Sequence, residues 1–176
     1  IYVLSTVALF GISATYHRGT WGPRTHGVLK RMDHATIFIF IAGTYTPIAL
    51  TVVGGTAGTV LLWIVWLAAL GGVLFRVFWV GAPRWLIVPI YISMGWAAVF
   101  FIPNIWQNGG VLIFLLIVAG GLCYSVGAVI YGLKRPDPSP KWFGFHEIFH
   151  SFTLGGYVSH YIGICLAIFG VGVLTN

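Results

Sequence analysis

The chain has 176 residues, of which 59% are hydrophobic and only 7% charged, with nine Lys or Arg against three Asp or Glu and a net charge of +6. A soluble domain carries roughly a quarter of its residues as charges, so composition excludes a water-soluble globular enzyme and points to a membrane protein. Nucleic-acid binding, the other common meaning of a basic chain, is set aside because the placement of the charges explains them.

Six apolar runs follow in chain order, at 1–17, 34–53, 59–80, 85–103, 109–133 and 146–174. About 20 apolar residues in helical form cross a hydrocarbon core of about 30 Å. Backbone polar groups in lipid must be satisfied within their own segment, so each run is predicted to be a helix. The predicted fold is an all-α, multi-pass transmembrane bundle, and 1–176 forms one domain. Pro23 marks the first gap, Gly54, Gly55 and Gly58 the second, and Gly81 and Pro83 the third. Pro103, Asn104 and Asn108–Gly110 mark the fourth, and Pro136–Pro140 the fifth. Pro47 and Pro89 fall inside runs and are expected to kink them. Cys123 and Cys165 both lie in apolar runs and read as small packing residues, since two such cysteines make neither a disulfide framework nor a metal motif. The chain begins at Ile1 within an apolar run, which suggests a trimmed N-terminus.

Charge sets the topology. Arg18, Arg24, Lys30, Arg31, Arg76, Arg84, Lys134, Arg135 and Lys141 all lie in or beside the first, third and fifth loops, and the other two loops carry none. Alternate loops share a side, so every cation sits on one face, which the positive-inside rule makes cytoplasmic. Arg76, near a helix end, is expected to extend its charge to the interface. Most Trp and Tyr residues lie near run ends and read as an interfacial belt.

Polar residues gather at that same face. His17 ends the first helix, Asp33 begins the second, and His146 and His150 begin the last. Residues four apart share a helix face, so His146 and His150 can aim at one point. Imidazole is the commonest nitrogen ligand of zinc. Two histidines from one helix and one from another make a three-ligand set, leaving a fourth position for water, as in catalytic sites. Asp33 is positioned to take a proton from that water or to hold it. Ser13, one turn before His17, is a candidate outer hydrogen-bond partner. His146-Glu147-x-x-His150 also matches the H-E-x-x-H pattern of zinc proteases, in which Glu147 would be the general base; a glutamate facing headgroups or a loop cation is the competing reading. His26 and His34 lie among basic loop residues and are read as solvated or headgroup-facing. His160 lies about 15 Å deeper than His150 and is expected to hydrogen-bond within the bundle. Ser151, Gly155, Ser159, Gly163 and Ala167 form a small-residue stripe suited to close helix packing.

Three motifs carry a resemblance. Ser13-Ala-Thr-Tyr-His17 is similar to an S-x-x-x-H motif. Met32-Asp33-His34, running on to Ala42-Gly-Thr-Tyr-Thr-Pro47, is similar to the motif of the following helix, and Phe145-His146-Glu-Ile-Phe-His150 to a closing H-x-x-x-H. Together they resemble the hemolysin III / progestin and adipoQ receptor family, which includes the adiponectin receptors and belongs to a wider group with the alkaline ceramidases; the short loops resemble the bacterial hemolysin III branch. The resemblance implies a seven-helix bundle whose first helix would precede Ile1, in a bacterial cytoplasmic membrane with the N-terminus inside. It implies Zn2+ held by His17, His146 and His150, with Asp33 on the metal-bound water. It also implies hydrolysis of a lipid amide such as ceramide, and it makes Glu147 incidental, since the family motif does not require it. The alternatives are a receptor-like or lytic membrane protein with structural zinc, and an intramembrane protease.

Overall fold

The computed structural model describes residues 1–170, which are helical nearly throughout, with no β-strand among them. Helix α1 spans Tyr2–Arg18 and α2 spans Pro23–Ile48, the latter running into a π-helical turn at Ala49–Val53. Helix α3 spans Gly55–Phe78 and α4 Arg84–Gly95; a 3-10 turn at Ala97–Phe101 leads into α5 (Ile102–Leu133), and α6 spans Phe145–Phe169. Residues 171–174 of the last predicted run lie outside the described residues.

The all-helical, membrane-spanning character is as the composition requires. Four helical stretches are long and apolar enough to cross a membrane: Pro23–Val53, Gly55–Phe78, Arg84–Leu133 and Phe145–Phe169. The division into six separate spans is not reproduced. Helix α1 is a 17-residue helix, and α4 and α5 join into one 50-residue helical stretch. Pro103 does not end that stretch, because a proline in the first turn of a helix lacks only an N–H that would have had no partner anyway. The break comes at Gly110, with φ 71° and ψ 176°, a backbone open to glycine and strained for other residues. The stretch doubles back around it: Arg84 Nη1 donates to the Tyr131 carbonyl (3.0 Å), and Trp96 Nε1 donates to Ser125 Oγ (2.8 Å). Helix α2 also begins 11 residues before the predicted run at 34. Pro23 starts it, and the basic turns that follow are helical without being apolar.

Helix α2 is central. Of its most apolar window 61% is buried, against 28% or less in the other three stretches. Phe38 on α2, Leu61 and Val65 on α3, and Ile105 on α5 are the largest fully buried side chains. Small residues set the close crossings. Gly72 of α3 lies against the Phe38 ring and Gly156 of α6 against the Tyr124 ring, where a Cβ would collide with the aromatic carbons. The small-residue stripe of α6 meets α5 as expected: Ser159 Oγ donates to the Leu116 carbonyl (2.8 Å), and Gly163 packs on Leu116. His160 likewise bonds within the bundle, its Nε2 lying 3.0 Å from the Ile117 carbonyl.

At the end of the bundle away from the histidine motifs, Asn108 Nδ2 donates to the carbonyls of Val52 (2.9 Å) and Val53 (3.4 Å), tying the approach to the Gly110 break to the end of the α2 stretch. Asn108→Ala leaves carbonyls without this donor, so we expect a loss of about 1–2 kcal/mol, read as a lower midpoint of thermal unfolding in detergent. An unchanged midpoint would show that the tie contributes nothing.

Candidate metal centre

Three elements bring the predicted residues to one end of the bundle. His17 sits in the last turn of α1, where Trp21 Nε1 donates to the Thr15 carbonyl (2.9 Å) and folds the following loop back over the helix end. His146 and His150 occupy the first two turns of α6. That helix start is fixed by acids: Glu147 accepts from the Gly144 N–H (2.9 Å), and Asp137 accepts from the Phe145 N–H (2.9 Å). Carboxylates are favourable here both as hydrogen-bond acceptors and as counter-charges to the helix dipole. Behind His146 stands Tyr131, 6.0 Å between ring centroids, and the Arg84 guanidinium lies 4.3 Å over the Tyr131 ring.

The three imidazoles converge. One nitrogen from each of His17, His146 and His150 lies within 4.8 Å of the others, and His146 Nε2 and His150 Nε2 are 3.1 Å apart. His17 is exposed and the other two are half-buried, so the cluster opens to the surface at the helix ends. Asp33, half-buried on α2, lies within electrostatic reach of His146 and His150. Its carboxylate accepts no hydrogen bond among the described residues. The His34 Nδ1 atom is 3.8 Å away and bonds instead to the Lys30 carbonyl at 2.7 Å. Ser13 is half-buried one turn before His17, and its hydroxyl makes no hydrogen bond among the described residues.

Glu147 does not join the cluster; its carboxylate is turned back to cap its own helix. The chain has three acids. Two of them, Asp137 and Glu147, hold the start of α6, and the third, Asp33, is the one left beside the histidines. The basic-loop reading of His34 is corrected: it is half-buried, and its carbonyl accepts from Tyr91 Oη (3.1 Å). His26 is exposed, as expected, and packs 5.2 Å from the Tyr16 ring.

Arg76 is also corrected. It does not reach out to the interface but is 2% exposed, and its Nε and Nη1 have no hydrogen-bond partner among the described residues. It lies within electrostatic reach of His34 and Tyr91. The sequence held a signal for this burial. Arg76 continues the row Leu61, Val65, Ala69 and Gly72, the buried face of α3.

Comparison with known proteins identifies the family. The chain is 36% identical over 156 residues to "Hemolysin-3 homolog" of Bacillus subtilis (strain 168), covering 89% of this chain and 70% of that protein. It is 34% identical over 156 residues to "Hemolysin-3" of Bacillus cereus, covering 89% and 68%. More distantly, it is 25% identical over 171 residues to "Monocyte to macrophage differentiation factor" of Homo sapiens, covering 93% and 67%. No solved structure matches. The family model described as "Haemolysin-III related" matches residues 1–161, a span that takes in all three histidines and Asp33, and the chain belongs to that family of integral membrane proteins.

Proposed function

We propose that this protein is a zinc-dependent hydrolase of a lipid amide, working where the bilayer meets the cytoplasm. The observation that carries the reading is the meeting of three imidazole nitrogens from two helices within electrostatic reach of Asp33, a carboxylate that accepts no hydrogen bond among the described residues. The donor set fits zinc. Two nitrogens bound to one tetrahedral ion at about 2.0–2.1 Å stand about 3.3 Å apart, and His146 Nε2 and His150 Nε2 are 3.1 Å apart. His17, His146 and His150 would hold the ion, leaving room for a further ligand. Zinc in such a site supplies a Lewis acid for a carbonyl oxygen and makes water acidic enough to be a nucleophile near neutral pH.

The chain's own residues do the rest. Asp33 accepts the proton that the attacking water gives up, as general base. Water enters from the side on which His17 is exposed. A ceramide-like substrate reaches the same depth from the membrane, its acyl chain between helices and its amide near the helix ends. The concentration of cations at this end supports a cytoplasmic orientation. The test is turnover of an N-acyl lipid by detergent-solubilised protein, before and after chelation. Turnover that chelation does not reduce would overturn the reading.

The capping role of Glu147 separates this reading from a protease. Glutamine keeps an oxygen that can accept from the Gly144 N–H, so Glu147→Gln should leave lipid-amide turnover within about twofold of wild type, against the roughly 10²–10⁴-fold loss that removal of a general base brings. A loss of that size would make Glu147 the base. A lytic reading is favoured by the name of the two Bacillus relatives. It predicts leakage of dye from liposomes that persists in the Asp33→Asn variant, whereas the hydrolase reading predicts no leakage from vesicles lacking substrate.

A further inference from the structure

Beside the metal centre, and not part of it, an apolar groove of about 390 Å³ runs along the seam of α2 and α3. Its α2 wall is Val28, Met32, Ala35 and Ile39, spaced four, three and four apart so that they share one face; its α3 wall is Val73 and Val77, one turn apart. The wall residues span 11 positions of α2, about 16 Å of rise, so the groove follows the helix axis into the membrane. The aliphatic stem of Arg31 lines its outer end, the groove surface itself being apolar throughout. The guanidinium is pinned there by two carbonyls, Nη1 to Gly27 on its own helix (3.1 Å) and Nε to Val77 across the seam (3.3 Å), which leaves Nη2 free of both. Arg24 lies two turns earlier on the same face. Helix α2 begins at Pro23 with no side-chain cap, so its first N–H groups add positive potential at this end.

We propose that this groove is a binding site for one anionic phospholipid, with an acyl chain along the Val28–Ile39 face and the phosphate on Arg31. An apolar wall alone cannot select a lipid, because lipid tails are as apolar as the groove. Selection has to come from the headgroup, and a guanidinium held in one geometry suits a phosphate, to which Nη2 can still donate a charge-assisted hydrogen bond. A net charge of +6, with Arg31 on the groove and Arg24 two turns before it on α2, disfavours a cationic occupant and favours an acidic one over a zwitterionic one.

The test is native mass spectrometry of the purified full chain, exchanged into equal amounts of palmitoyl-oleoyl phosphatidylglycerol and phosphatidylcholine. Wild type should retain one phosphatidylglycerol, preferred at least about fivefold, the effect of roughly one interfacial cation. Arg31→Gln should bring the preference close to one, while Lys141→Gln, a cation of the α5–α6 loop, should keep it. Val28→Trp, which fills the groove and leaves Arg31 in place, should lower retention of both lipids. Equal retention of the two lipids by wild type would overturn the proposal. So would an Arg31→Gln preference equal to that of Lys141→Gln, or a Val28→Trp protein that still holds its lipid. Mass for a second chain in place of a lipid would make the groove a dimer seam instead.

Discussion

Replacing His146 with alanine is expected to abolish stoichiometric zinc in the purified protein, and lipid-amide turnover with it. His146 is the middle of the cluster. Its ring centroid lies 5.0 Å from that of His17 and 4.6 Å from that of His150, whereas His17 and His150 are 5.6 Å apart. Loss of a residue that only supports a metal ligand costs about 10–100-fold in affinity, so loss of a direct ligand should cost more. The remaining pair would not retain the ion through purification. Elemental mass spectrometry should therefore read about one zinc per wild-type chain and none in the variant. Because His17 belongs to α1 and the other two to α6, the metal also ties two helices together. Any ligand that binds only the folded state adds about 2.7 kcal/mol at a hundred times its dissociation constant. Chelation should therefore lower the unfolding midpoint of wild type and leave His146→Ala unmoved. Equal zinc in both proteins would remove His146 from the site, and no zinc in a folded wild type would remove the metal altogether.

The convergence of these residues was legible before any coordinates because membrane topology restricts depth. Once every cation is on one side, His17 at the end of one helix, Asp33 near the start of the next and His146 at the start of the last have to share a level. What the sequence left open follows from interactions that have no period. Glu147 fits a protease pattern as letters, yet its carboxylate reaches back to a helix-start N–H, a choice set by local hydrogen bonding. Arg76 looked like an interfacial cation by its distance from the helix end; its azimuth, on the row with Ala69 and Gly72, decides for burial. The gap between the fourth and fifth apolar runs holds several breakers from Pro103 to Gly110, and the break falls at the last of them, inside α5. Proline at a helix start is tolerated, so the bend passed to the glycine that could adopt a positive φ. The apolar run at 34–53 understates α2 because hydropathy detects the membrane-embedded part of a helix and not its polar first turns.

Asp33→Asn is expected to keep the zinc and lower turnover by about 10²–10⁴-fold, the range general acid–base groups contribute. Asparagine has nearly the shape of aspartate but does not accept a proton under these conditions, so the variant removes the chemistry and spares the packing. Metal content should survive because Asp33 lies outside the three-nitrogen cluster. The competing account makes Asp33 a structural partner of His34, whose Nδ1 stands 3.8 Å from its carboxylate. That nitrogen is already committed to the Lys30 carbonyl at 2.7 Å, so the pair has no hydrogen bond to lose. The two accounts separate in paired measurements. A base predicts a large fall in kcat with little change in unfolding midpoint, and Asp33→Glu, which restores a carboxylate at a shifted position, should recover part of the rate. A structural partner predicts a lower midpoint with kcat preserved in the folded fraction. It also predicts that His34→Gln mimics Asp33→Asn. Turnover of Asp33→Asn within threefold of wild type would remove Asp33 from the chemistry and leave the three histidines as a metal site without a base.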